Sequence, residues 1–189
     1  MNALPLMKDA TYEDLLALPD HVKAELIDGE VVCQSSPSDA HQNGAAAIGY
    51  VLRGPFHLGT GGPKDPGGWV ILPEVDVFFG RNVLRPDVSG WHRIRMPNFP
   101  ADRPMSLVPD WVCEVLSPST ERHDRLRKMD IFARAGVPYV WLVDPVERML
   151  EVYVLRPGGY MRVNGAAEDE AGHFEPFDAI ELSLKFWWA

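Results

Sequence analysis

Apolar residues along this 189-residue chain fall into short blocks, some spaced for helices and some alternating as in strands. Thr11 is placed to cap a short helix beginning near Tyr12, with Glu13 and Asp14 in its favourable first turn. Leu15, Leu16 and Leu18 supply its apolar side, and Pro19 helps to end it. Lys23–Cys33 reads as a hairpin, because Leu26-Ile27 and Val31-Val32-Cys33 flank the tight-turn pair Asp28-Gly29. After Ser36-Pro37-Ser38, the spacing of Ala45, Ile48 and Leu52 predicts a helix over about Asp39–Leu52, with Gly44 and Gly49 as its weak points. Gly59–Gly68 is rich in Gly and Pro and reads as a loop.

Trp69–Leu72, Val75–Phe79 and Asp87–Gly90 read as strands of a meander, and Asn98–Val108 as a mobile connection. Trp111–Leu116 is an apolar strand interrupted by one acid, Glu114. Ser117-Pro118-Ser119-Thr120 then turns into a helix over about Glu121–Ala135, stopped by Gly136 and Pro138, and Tyr139–Val143 returns as a strand. Strand, helix and apolar strand in that order predict a right-handed crossover and a parallel pair in mid-sheet. Leu150–Leu155, Gly159–Val163 and Ile180–Leu184 add antiparallel strands. The expectation is an α/β fold over residues 1–189 as a single domain: a mixed sheet flanked by helices, with additional antiparallel strands.

Composition narrows this picture. With 46% hydrophobic residues the chain can bury a substantial core. No apolar run reaches the roughly 18 residues of a membrane span. Met1–Ala10 lacks the apolar core of a secretory signal, so the expected address is the cytoplasm. Two isolated cysteines, Cys33 and Cys113, read as buried thiols, and no Cys/His spacing suggests zinc. A formal charge of −9 argues against a protein that coats DNA through a basic surface, but leaves room for a local basic approach to an acidic cleft.

Three residues bear on chemistry. Alternation puts Glu114 on the same strand face as Val112 and Leu116. A carboxylate there needs a cation, a metal or a strand-end position; a structural ion pair and a metal ligand both satisfy it. Asp87, in Arg85-Pro86-Asp87, is turn chemistry when taken alone. With Glu114 it forms a pair of hard oxygen donors suited to magnesium. Lys128 precedes Ile131 and Phe132 by three and four residues, at the margin of an apolar stripe. It either projects its ammonium toward the neighbouring strand or pairs with Asp124 on the surface.

Pro86-Asp87 followed by Glu114-Val115-Leu116 resembles the PD-(D/E)xK pattern of restriction-endonuclease-like enzymes. The run from Pro109 through Glu114 to Thr120, with Lys128, is similar to the Uma-type restriction endonuclease family of bacteria. So are Ala135–Pro145 and the hairpin Glu25-Leu-Ile-Asp-Gly-Glu30. The resemblance covers most of Tyr12–Tyr153. It implies a restriction-endonuclease-like fold and magnesium-dependent phosphodiester hydrolysis, with manganese as an alternative metal and DNA as the substrate. Asp87 matches the first acid and Glu114 the second. Leu116 stands where the simple pattern has its catalytic lysine, and the resemblance implies that Lys128 replaces it. Glu25 matches the hairpin acid, either completing the metal environment or forming a structural ion pair. Related folds often pair two sites to cut two strands, so a homodimer is expected.

Other residues keep two readings each. His41 is a helix-start or core histidine, or faces the cleft. Glu74 and Asp76 are accessory ligands or edge charges. Asp144 before Pro145 reads as turn chemistry. Arg122, Arg125 and Arg127 suit phosphate contacts or an ordinary exposed helix face. Trp187 and Trp188 cover core or a partner surface. Two functions compete with the nuclease: a noncatalytic binding or assembly module retaining the fold, and a hydrolase of small phosphodiesters.

Overall fold

The computed structural model describes residues 9–19, 22–34, 36–118 and 121–188. The predicted turn through Ser119 and Thr120 lies outside these residues, as does most of Met1–Ala10. Helix α1 (Tyr12–Leu16) opens with a capping box, in which the Thr11 side chain accepts from the Asp14 N–H and the Asp14 carboxylate accepts from the Thr11 N–H. Strands β1 (Ala24–Ile27) and β2 (Glu30–Cys33) form the predicted hairpin. Its two turn residues, Asp28 at φ +51° and Gly29 at φ +79°, adopt the left-handed pair that a two-residue hairpin requires. Helix α2 (Asp39–Leu52) has the predicted bounds and runs on into a π-helical turn at Arg53–His57.

Next come β3 (Trp69–Pro73), β4 (Val77–Phe79), β5 (Asn82–Leu84), β6 (Val88–His92) and β7 (Trp111–Val115). The predicted meander is not formed. β3 pairs antiparallel with β6, whereas β4 pairs with β5, a strand too short to stand out in the sequence. β4 leaves because Val77 and Phe79 pack elsewhere, Phe79 lying edge-on to Phe132 with ring centroids 5.1 Å apart. The connection expected to be mobile is pinned instead. Met105 is buried and exchanges backbone hydrogen bonds with Asp76 and Phe78, and Trp91 Nε1 donates to Leu107 O at 2.9 Å.

α3 (Glu121–His123), a π-helical turn at Asp124–Lys128 and α4 (Met129–Ala135) make one continuous rod in place of the regular helix expected. β8 (Tyr139–Asp144), β9 (Met149–Arg156), β10 (Gly159–Ala167) and the short pair β11 (Ala171–Gly172) and β12 (Leu182–Ser183) complete the fold. The main sheet has order β10-β9-β8-β7-β6-β3, with β7 and β8 parallel and every other neighbour antiparallel. A second sheet has order β2-β1-β5-β4.

Alternation along β7 divides the core between the two faces of the main sheet. Trp111, Cys113 and Val115 face α2 and the C-terminal segment, where Trp187 is buried and stacks on Trp141. Val112 and Leu116 face α4 and the second sheet. The C-terminal tryptophan expectation is thus met by core, with Trp188 partly buried alongside. Cys113 is buried, but Cys33 is exposed, correcting the expectation of two buried thiols: β2 is an edge strand and its last residue is left uncovered. Among the described residues no helix is long and apolar enough to cross a membrane.

Gly90 sits between two indoles in the main sheet. A Cβ there would stand 3.0 Å from Trp111 and 3.3 Å from Trp69. Gly90→Val is expected to cost about 1–3 kcal/mol of unfolding free energy in urea melts, through overpacking of two buried indoles; no change in the midpoint would mean that both rings can move aside.

Candidate active site

Four acidic side chains and one lysine converge where β1, β6, β7 and the α3–α4 rod meet. Val88 stands opposite Cys113 in the β6–β7 ladder, so Asp87, one residue earlier, arrives beside the end of β7 that carries Glu114 and Val115. Asp87 Oδ2 accepts from the Val115 N–H at 2.7 Å, and Asp87 Oδ1 lies 3.0 Å from His41 Nε2. His41 reaches it from the first turn of α2, which Ser38 caps by accepting from the His41 N–H. The cleft-facing reading of His41 is the one realised.

On the other side of β7 the π-helical turn closes with the Met129 N–H donating to Asp124 O, five residues back. Such a turn widens the rod locally. Asp124 and Lys128 both point inward from it. Lys128 Nζ lies 3.1 Å from Glu25 Oε2, 3.2 and 3.3 Å from the two Glu114 oxygens, and 3.3 Å from Asp124 Oδ1. Exposures of 2% for Glu25, 3% for Glu114, 2% for Asp124 and 4% for Lys128 make this a buried cluster and not a surface pair. Glu25 Oε1 is also engaged, accepting from the Arg85 N–H at 2.8 Å.

Burial governs the electrostatics. It pushes the Glu114 carboxyl well above the usual range, with Asp124, Asp87 and Glu25 adding to the rise and Lys128 opposing it. Burial alone would lower the Lys128 ammonium, but Glu114, Glu25, Asp124 and Asp87 outweigh it and hold the group protonated above the usual lysine range. For His41, burial lowers the pKa and the Asp87 hydrogen bond and charge raise it, with a net rise. Three buried carboxyl groups thus share one ammonium, with Asp87 held beside them by His41, and Glu114 is the acid whose ionisation this crowding opposes.

Asp87, Glu114, Lys128 and Glu25, all singled out in the sequence, therefore meet in one place. Asp124 was read only as the lysine's alternative surface partner. It is in fact a buried member of the cluster, and the signal available was its spacing of four residues from Lys128. Glu74 and Asp76 lie in the connection between β3 and β4, not on one strand face as expected. Glu74 pairs with Lys23 at 2.9 Å, and Asp76 holds Arg85 through two bonds of 2.7 and 2.8 Å. Arg125 bonds Glu121 and Glu151, and Arg127 bonds Glu30 and the Ile27 carbonyl, while Arg122 is exposed. Asp144 is the turn residue expected, accepting from the Val146 and Glu147 N–H groups.

Among the described residues no three Asp, Glu, His or Cys side chains already converge as a ligand set for a metal. The donor chemistry nevertheless fits a hard divalent cation, because buried carboxyl oxygens outnumber the cations beside them and Glu114 is left resisting ionisation. The cleft over the cluster has a volume of about 50 Å³, and His41, Asp87, Glu114, Asp124 and Lys128 line it with Lys23 and Arg85.

Over residues 10–185 the chain matches the family model described as "Uma2: Putative restriction endonuclease". It superposes with a TM-score of 0.72 on the crystal structure of "a putative nuclease belonging to DUF820" from Anabaena variabilis. The two are 22% identical, over 94% of this chain and 97% of that one, a likeness that carries the restriction-endonuclease-like fold. No curated protein matches the chain.

Proposed function

The chain belongs to the Uma2 family of restriction endonucleases, and from that premise we propose that it is a metal-dependent endonuclease that hydrolyses phosphodiester bonds in DNA. The observation that carries this reading is the meeting of half-buried Asp87 with buried Glu114 and Lys128 at the floor of an open cleft. Asp87 and Glu114 would hold magnesium or manganese. Bound there, the cation would acidify a water and stabilise negative charge on the phosphate. His41 and the Val115 N–H fix the Asp87 carboxylate. Lys128 supplies N–H donors beside Glu114 for the attacking oxygen or a phosphate oxygen.

The size of the cleft bears on the substrate. An enclosing site for a small molecule has a volume of roughly 300–1,000 Å³. About 50 Å³ takes in a few water-sized groups and leaves most of a larger substrate outside. That supports a backbone phosphate presented at the cleft mouth by a long polymer over an engulfed small phosphodiester. The binding-module reading draws on a different observation: Lys128 already satisfies three of the acids without any ligand.

Calorimetric titration of magnesium and manganese into the wild type and the Asp87→Ala/Glu114→Ala double variant separates these. Saturable binding by the wild type that is lost in a folded double variant is expected. A wild type that binds neither ion, with or without an uncleavable DNA, would favour the binding module.

A further inference from the structure

A lysine ammonium has three N–H donors and no acceptor. Lys128 faces three separate carboxylates, from β1, β7 and its own helical turn. The three partners differ in what else they do. Glu114 turns both oxygens to the ammonium and borders the open cleft beside Asp87. Glu25 has one oxygen on Lys128 and the other on the Arg85 N–H, so neither oxygen is free to turn elsewhere without breaking a bond. Asp124 Oδ1 is buried without a hydrogen bond and faces the ammonium at 3.3 Å, one turn before Lys128 on the same rod.

We infer that Glu25 and Asp124 are a pair of positioning carboxylates that hold Lys128, and that Glu114 is the exchangeable third contact. Resting on the nuclease reading above, this takes Glu25 out of the metal environment and places it with Asp124. When Glu114 gives its oxygens to a cation, the Lys128 N–H it held is released beside it, while the ion-pair contacts of Lys128 with Glu25 at 3.1 Å and Asp124 at 3.3 Å stay. The released donor is thereby aimed at the position where an attacking water or phosphate oxygen sits next to Glu114. A lysine on a flexible four-carbon stem does not hold a direction unaided, and the two retained contacts supply it. The same arrangement accounts for a catalytic lysine placed on a helix: the strand position Leu116 is buried in the apolar, α4-facing core.

The test uses Asp124→Asn and Glu25→Gln, which keep side-chain shape, with manganese affinity, kcat and KM on linear DNA, and thermal melting measured on the same preparations. Each folded variant is expected to keep manganese affinity and KM near the wild-type values and to lose about 10- to 100-fold in kcat. A tenfold weakening of manganese binding in either variant would make that residue a metal ligand and overturn the proposal. Unchanged kcat in both would overturn it as well, leaving the nuclease reading intact. A wild type that binds no manganese and cuts no DNA would sink the nuclease reading itself, and the proposal with it. Should either variant fail to melt cooperatively, Asp124→Ser and Glu25→Thr, which put a smaller hydroxyl acceptor in place of the carboxylate, repeat the comparison.

Discussion

Replacing Lys128 by methionine is expected to lower the unfolding free energy at neutral pH by about 3–5 kcal/mol, the cost of removing one partner from a buried charge pair. Methionine keeps most of the stem and its packing near Ile131 and Phe132, so the loss falls on the charge. Glu25, Glu114 and Asp124 would be left buried beside one another without the cation they share. The deficit depends on pH, with a sign set by Glu114, whose carboxyl in the folded protein is held above its usual value of 4.5. The native state then keeps a proton that the unfolded chain gives up. Unfolding releases that proton in the interval between the usual and the raised pKa, so stability falls as pH rises through it and is regained below it. Removing Lys128 takes away the one charge that opposes the rise, which widens the interval. Urea titrations at pH 4.5 and pH 7.5, each referred to the wild type at the same pH, should give the larger deficit at the higher pH. An equal deficit at both would show that Glu114 is not the group responding. In the wild type, Lys128 itself is held protonated above the usual lysine value of 10.5, so its contribution persists through neutral pH and is lost only in strong alkali.

The second large effect concerns activity. Asp87→Asn is expected to reduce kcat on DNA by about 100- to 1,000-fold, the scale for removing one preorganised charge from a hydrolytic centre. Asparagine preserves the shape of the side chain. Its carbonyl oxygen can still accept from the Val115 N–H, and its amide then faces His41 Nε2, so folding stability should change by only about 1 kcal/mol. The negative charge is what disappears, and with it the one carboxylate of the cluster that lies outside Lys128's three-acid contact. Manganese affinity should fall together with kcat. Hydrolysis at the wild-type rate in this variant would remove Asp87 from the reaction, whatever its place in the fold.

Much of this molecule is legible in the chain. Asp28-Gly29 specified the β1–β2 turn because few residue pairs tolerate two left-handed conformations in succession. Thr11 and Ser38 marked two helix starts because their short oxygens reach the first free N–H groups. The strand–helix–strand order around Lys128 announced the parallel β7–β8 pair. Glu114 stood out because an acid on an apolar strand must have a partner, whatever that partner is.

The strands between Trp69 and Gly90 were less legible. Periodicity shows which residues share a face, but not which sheet that face belongs to. The departure of β4 and β5 into the second sheet was settled by Phe79 packing on Phe132, more than 50 residues away. Cys33 has the same strand-like neighbours as Cys113, and only its place on an edge strand exposes it.

The candidate site divides in the same way. Residue types, strand alternation and the resemblance to a nuclease family were enough to single out Asp87, Glu114, Lys128 and Glu25, because each follows from local spacing or a short motif. The tertiary structure alone decided that Asp124 joins them, that His41 turns to Asp87, and that Glu74 and Asp76 serve Lys23 and Arg85 at the rim. The reason is physical. An Asp and a Lys four residues apart make the same sequence pattern on a solvated helix face as in a buried cluster. Only the packing of the rod against β1 and β7 removes the water, and that burial changes a marginal surface pair into a site where every charge must be answered by another.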